Sequence, residues 1–229
     1  MRKLLLFDID GTLLDTQGAG RAALGSAMID VYGETGPIDE FSFHGKTDPA
    51  IVRALLRAAG RTDAEIDAGL PVLWAKYVDY LDDELAGRTQ VLAICAGVTD
   101  LLAEAGAAGD LALGLVTGNV EPGAWRKLRA CGLEGNFGVG AFGSDSEHRE
   151  HLPPIAMERA HESLGISFRP EAVIVIGDTP EDVRCARSSG VTAVAVASGR
   201  YTGEELSEHA PDHLFDSLAA DGVREVLLA

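Results

Sequence analysis

The sequence predicts an α/β protein: a doubly wound, mostly parallel sheet with a helical insertion near its start. Three observations lead there. From about residue 96, strand and helix patterns alternate strictly. The strands "AVIVI" and "TAVAV" are apolar on both faces, as required where helices cover both sides of a parallel sheet. Residues 18 to 86, by contrast, carry apolar residues at helical spacing and no convincing strand.

The elements follow in order. "LLLFDIDGTLLDT", residues 4 to 16, reads as a buried strand that ends in Asp8 and Asp10 before a glycine and a threonine. Alternation turns both carboxylates to one face, and an unpartnered buried carboxylate is costly unless it shifts its pKa or finds a cation, so two like charges there need a reason. "GRAALGSAMIDVYG", "DPAIVRALLRAAG" and "DAEIDAGLPVLWAKYVDYLDDELAG" read as helices, with Pro71 predicting a break or kink in the third. Between the first two, "GETGPIDEFSFHGKT" is rich in turn formers and reads as a loop. Next come "GVTDLLAEAG" as helix, "DLALGLVTG" as strand, "EPGAWRKLRACG" as helix and "FGVGAFG" as a weak strand. "PPIAMERAHESLG", "AVIVIGD", "PEDVRCARSSG" and "VTAVAVAS" continue the alternation of helix and strand. A short helix near Glu204, a short strand at "HLF" and a last helix complete the chain. The simplest division is a core of residues 1–14 and 88–229, with a helical insertion at 15–87.

Composition narrows the function. A chain of 229 residues with 46% hydrophobic and 24% charged residues is ordinary for a globular protein. A formal charge of -17 argues against nucleic acid or an anionic membrane as partner. It leaves room for one small phosphate where a divalent cation and local donors reverse the sign. Cys95, Cys131 and Cys185 are odd in number and far apart, which suggests buried or free thiols in a reducing cytoplasm. The apolar run after "MRK" stops at Asp8, too soon for an export segment, and no later stretch suits a membrane span. A cytoplasmic location is the expectation.

In open parallel sheets, ligands lie outside the carboxyl ends of the strands. Three strands end in polar clusters here: Asp8-Ile9-Asp10, Thr117-Gly118-Asn119 and Gly177-Asp178-Thr179. If those strands are neighbours, the clusters share one crevice, where Asp8, Asp10 and Asp178 could supply oxygen to a hard cation such as Mg²⁺. Two features have plain structural readings beside this. Thr179 to Asp182 reads as a capping box with Pro180 at the first helical position, and the six histidines show no metal-ligand spacing.

In order and spacing, "DIDGTLLD", "VTGN" and "GDTPEDVRCA" resemble the signature motifs of the haloacid dehalogenase superfamily. The helical insertion is similar to that superfamily's cap, as in its phosphoglycolate-phosphatase-like members. The resemblance implies that Asp8 is the nucleophile, taking a phosphoryl group as an aspartyl-phosphate, and that Asp10 is the general acid/base. It implies Mg²⁺ held by Asp8, the backbone carbonyl of Asp10 and Asp178, with Asp182 orienting the cation site. It also implies that Thr117, with the N–H groups that follow at Gly118 and Asn119, binds phosphoryl oxygens.

One motif departs from the family. A lysine usually precedes the proline-containing helix start, but "EHREHLPPIAMERA" has none. His151 falls at the lysine position, while Arg149 carries a permanent charge and is favoured for the role. Asp10 argues against a dehalogenase and a phosphonatase, leaving a β-phosphoglucomutase-like phosphotransferase as the alternative to a phosphatase. A non-catalytic receiver-like module would place its phosphorylated aspartate mid-chain. The resemblance therefore points to a Mg²⁺-dependent phosphatase of a small phosphorylated metabolite. In the insertion, the loop "FHGKTDP" offers His44, Lys46 and Thr47 as substrate-reading residues, with Arg53 in the helix that follows.

Overall fold

The computed structural model describes residues 2–229. The chain opens with β1 (Lys3–Phe7) and the two-residue β2 (Leu14–Asp15), then passes through α1 (Ala19–Tyr32), α2 (Asp48–Ala58) and α3 (Asp63–Gly87) to β3 (Ala93–Ile94). Next come α4 (Val98–Ala107), β4 (Leu111–Thr117), α5 (Glu121–Ala130), β5 (Val139–Phe142), α6 (Leu152–Leu164), β6 (Val173–Gly177) and α7 (Pro180–Ser188). The chain ends through β7 (Thr192–Val196), α8 (Gly203–Ser207), β8 (His213–Phe215) and α9 (Val223–Leu227).

Six strands form one sheet in the order β5-β4-β1-β6-β7-β8, and every pairing in it is parallel. β1 is central because it is apolar on both faces. Leu5 and Phe7 pack with residues of α4, α5 and α9 on one side, and Leu4 and Leu6 pack with α6 and α7 on the other. The weak strand at "FGVGAFG" forms as edge strand β5, paired to β4 from Gly114↔Val139 to Thr117↔Phe142. The strand order reverses around β1, so the chain ends of β1, β4 and β6 open side by side into a crevice.

The three helices of the insertion have a core of their own, in which Ala23, Leu24, Ala27 and Met28 of α1 meet Leu73, Tyr77 and Leu81 of α3. The chain leaves and re-enters the α/β portion through the antiparallel β2–β3 ribbon, Leu14 opposite Ile94. Of the break or kink read at Pro71, the break does not occur: α3 continues through the proline. The helix runs through it because Ile66, Leu73, Tyr77, Leu81 and Leu85 keep one face buried. The Tyr32 hydroxyl also donates to the Ile66 carbonyl at 2.7 Å in the turn before the proline. Thr62 and Glu65 close a capping box at its start. Among the described residues, no helix is long and apolar enough to cross a membrane.

Candidate active site

The three polar clusters meet at the mouth of a cavity of about 430 Å³, lined from below by Asp8, Asp10, Thr117, Asn119 and Asp178 and from the helical insertion by Arg21, His44, Lys46 and Tyr77. Asp8 follows β1 directly, and its N–H donates to the Ile176 carbonyl at 2.9 Å, extending the sheet by one bond. That bond fixes the carboxylate at the strand end, where it is 5% exposed. Burial pushes the Asp8 carboxyl up to about 6. Arg149 opposes that shift, and Asp182 and Asp10 add to it.

Gly11 shows why the "DGT" turn tolerates no side chain. Its φ is +84°, and a Cβ there would come within 3.0 Å of all three carboxyl atoms of Asp178. Thr12, two residues beyond Asp10, donates its hydroxyl to Asp178 Oδ1 at 3.1 Å. The turn after β1 thus holds Asp178 as well as presenting Asp8 and Asp10.

Arg149 lies in a 3₁₀ turn (Arg149–His151) leading into α6 and is buried. Its Nη2 sits 3.0 Å from Asp8 Oδ1 and also bonds Asp182 Oδ1, while Nη1 donates to the Gly45 carbonyl at 3.2 Å. Its neighbouring carboxylates raise its already high pKa further, against the opposing effect of burial. His151 is elsewhere. It is exposed, with Nδ1 3.2 Å from Ser146 Oγ, and it does not line the cavity. Two residues within the 3₁₀ turn separate a position facing Asp8 from one facing water, and the arginine holds the inner one.

Asp8, Asp178 and Asp182 each offer an oxygen within 4.8 Å of the others, and all three are buried. Three carboxylates facing one permanent cation leave the cluster short of positive charge, and burial with the neighbouring carboxylates drives Asp178 well above its ordinary range. A compact set of hard oxygen donors with that deficit fits a divalent cation of the Mg²⁺ class. Asp182 has a second task. Its Oδ2 accepts from the Thr179 N–H at 3.1 Å and the Thr179 hydroxyl at 2.6 Å, completing the capping box of α7. With its other oxygen on Arg149, both sides of this carboxylate already have protein partners.

The "TGN" turn departs from expectation in a specific way. Of the N–H groups that open α5, Asn119's is 3.3 Å from Thr117 Oγ1, Val120's donates to Asp48 Oδ2 at 2.9 Å, and Glu121's to Ser144 Oγ at 3.1 Å. Gly118 N–H alone in this turn has no protein partner among the described residues. Asn119 turns its side chain instead to Asp10, donating Nδ2 to Oδ2 at 2.8 Å. Gly118 must be glycine because a Cβ would run into the Lys46 carbonyl.

The insertion's candidates divide. His44 and Lys46 line the cavity. Partial burial, then Arg200 and Arg21, lowers the His44 pKa, so it is neutral near pH 7. Thr47 and Arg53 do not line it. Thr47 is the N-cap of α2 and donates its hydroxyl to the Glu147 carbonyl at 2.8 Å. Arg53 is spent on ion pairs to Asp67 at 2.6 Å and Glu147 at 2.8 Å. Sequence reasoning missed Lys127, whose Nζ reaches Asp10 Oδ2 at 2.7 Å, and Asp48, which lines the cavity with its carboxyl pushed by burial to about 6.

Comparison with known proteins gives the family. The haloacid dehalogenase-like hydrolase family matches residues 2–190. The phosphoglycolate phosphatase of Rhodospirillum rubrum is 26% identical over 228 residues, covering 97% of this chain and 90% of that protein. A tyrosine-protein kinase, PtkA, of Mycobacterium tuberculosis is 27% identical over 98% of this chain and 72% of its own. Among solved structures, a CbbY variant from Rhodobacter sphaeroides in complex with xylulose 1,5-bisphosphate superposes with a TM-score of 0.73 at 24% identity, covering 97% of both chains. With its motifs at the ends of β1, β4 and β6 and a match over most of its length, the chain belongs to the haloacid dehalogenase-like hydrolase family.

Proposed function

We propose that this protein is a Mg²⁺-dependent phosphatase of a small phosphorylated metabolite, working through a phosphoryl group carried on Asp8. The observation that carries the reading is the pair Asp8 and Asp10 at the cavity floor, with Arg149 Nη2 3.0 Å from the Asp8 carboxylate. An Asp8 oxygen attacks phosphorus, and the bond to the leaving oxygen breaks as Asp10 gives that oxygen its proton. Water then attacks the same phosphorus and loses a proton to Asp10, which frees inorganic phosphate and restores Asp8. Arg149 offsets the repulsion between the phosphate dianion and the ionised nucleophile. A cation held by Asp8, Asp178 and the Asp10 carbonyl would supply further positive charge to the same end, with Asp182 fixing Arg149 beside it. Thr117 and the Gly118 N–H are the remaining donors placed for phosphoryl oxygens.

The helical insertion acts as a cap, with His44, Lys46 and Arg21 facing the substrate's remote part. The relatives named for phosphoglycolate make that compound the first to test. The experiment is phosphate release over a panel of phosphorylated acids, sugars and nucleotides, with and without Mg²⁺. Hydrolysis that vanishes on chelation is the expected result. Isomer formation that needs a bisphosphate primer would transfer the assignment to a mutase, and no release from any compound would remove it.

A further inference from the structure

We infer that Lys127 is a positioning residue, pinning the Asp10 carboxylate by one oxygen so that the other is free to carry the reacting proton. This rests on the reading of Asp10 as the acid/base. Lys127 lies on α5, in a stretch where Arg126, Lys127 and Arg129 would ordinarily point to water. Its side chain is nevertheless only 6% exposed. Burying an ammonium group is costly unless it is paired and hydrogen-bonded, so its destination matters.

That destination is a closed ring of three hydrogen bonds. Lys127 Nζ donates to Asp10 Oδ2 at 2.7 Å and to Asn119 Oδ1 at 2.6 Å, and Asn119 Nδ2 donates to the same Asp10 Oδ2 at 2.8 Å. Asn119 is itself fixed by a second bond from Nδ2 to Thr117 Oγ1 at 2.8 Å. Asp10 Oδ2 thus receives two donors, while Oδ1 receives none among the described residues. The Asp10 side chain is 42% exposed and lines the cavity. A carboxylate with a single-bond hinge at χ1 would otherwise sample several rotamers, and a proton carrier must stay within hydrogen-bond reach of the leaving oxygen. The helical insertion seals the ammonium in place: a Cβ on Gly20 of α1 would sit 3.2 Å from Nζ. Asp48 from α2 adds a second negative charge nearby.

The competing reading is a simple ion-pair staple between α5 and the turn after β1. The two differ in which step is slowed. Lys127→Met is assayed beside Asp10→Asn and the double variant, all in the full chain. Two substrates are used, an alkyl phosphate and p-nitrophenyl phosphate, whose leaving group barely needs a proton. Asp10→Asn reports separately on the acid/base reading: it must slow the alkyl ester more than the p-nitrophenol burst. Lys127→Met should then cut alkyl phosphate turnover roughly tenfold or more, a share of the 10²–10⁴ that a placed acid contributes. The p-nitrophenol burst should fall less than about threefold, and in the Asp10→Asn background Lys127→Met should change turnover less than about twofold, since coupled residues are not additive. A crystal structure of Lys127→Met should show the Asp10 carboxylate displaced. Equal loss on both substrates, full loss repeated without Asp10, or an Asp10 that has not moved would overturn the inference.

Discussion

Replacing Arg149 by methionine removes the cluster's permanent cation and leaves Asp8, Asp178 and Asp182 facing one another in a buried site. Methionine fills similar space, so the change is mainly electrostatic. Breaking a buried pair by removing one partner costs about 3–5 kcal/mol, because the abandoned charges stay desolvated. For a chain of this size, 1 kcal/mol moves the melting temperature by about 2–4 °C, so the variant should melt roughly 6–20 °C lower in EDTA. Saturating Mg²⁺ should narrow that gap, since a bound cation supplies charge to the same carboxylates. Turnover should still fall at least about tenfold, because the phosphate then approaches Asp8 without the guanidinium. His151→Ala is the control: its exposed ring should leave the melting temperature within about 1 °C and turnover within about twofold. The assay is thermal unfolding at pH 7.5 with and without Mg²⁺, alongside phosphate release. A fall of less than about 2 °C in EDTA, or a gap indifferent to Mg²⁺, would refute the electrostatic reasoning, and a crippled His151→Ala would refute the choice of cation.

Asp48→Asn should make stability less dependent on pH. The folded carboxyl titrates at about 6 against an ordinary 3.8, so the folded state holds its proton more tightly. Stability is therefore lost as pH rises from about 4 to about 6, by up to about 3 kcal/mol at neutrality. The amide can still accept from the Val120 N–H, so the variant should gain stability relative to wild type at pH 7.5 but not at pH 4. Denaturant midpoints that differ equally at both pH values would contradict this. Asp178→Ala should raise the Mg²⁺ concentration needed for half activity by tenfold or more, given the loss of one carboxylate from the cluster. An unchanged requirement in a titration of metal against phosphate release would remove Asp178 as a ligand.

Much of this site could be read from short motifs because a parallel sheet gathers its strand ends. Asp8 and Asp178 each follow an apolar strand and Thr117 ends one, and β1 pairs with both β4 and β6. Adjacency, which the motifs alone do not state, is what makes them one site. Lys127 was hidden by its company. A faint signal existed, since Val120 just before α5 and Ala124 and Leu128 on it form a buried stripe, and position 127 falls beside it, seven residues after Val120. The fate of the N–H groups before α5 was unreadable, because Asp48 and Ser144 reach them from distant parts of the chain. The same holds for the loop at 33–47. Arg21 fixes it by donating to the Ile38 and Phe41 carbonyls and stacking 4.0 Å over Phe43. Thr47 and Arg53 look free to read substrate only until Glu147 is brought against them.

Acid-quenched turnover tests the central claim most directly. Wild-type protein mixed with Mg²⁺ and a phosphate ester it hydrolyses, then stopped in acid within the first turnover, should carry one phosphoryl group on the peptide spanning residues 4–16. Fragmentation should place it on Asp8, and hydroxylamine should remove it. Asp8→Asn should be folded, carry no label and release no phosphate. Wild-type turnover without a phosphoryl group on Asp8, or phosphate release by Asp8→Asn near the wild-type rate, would contradict the mechanism at its first step.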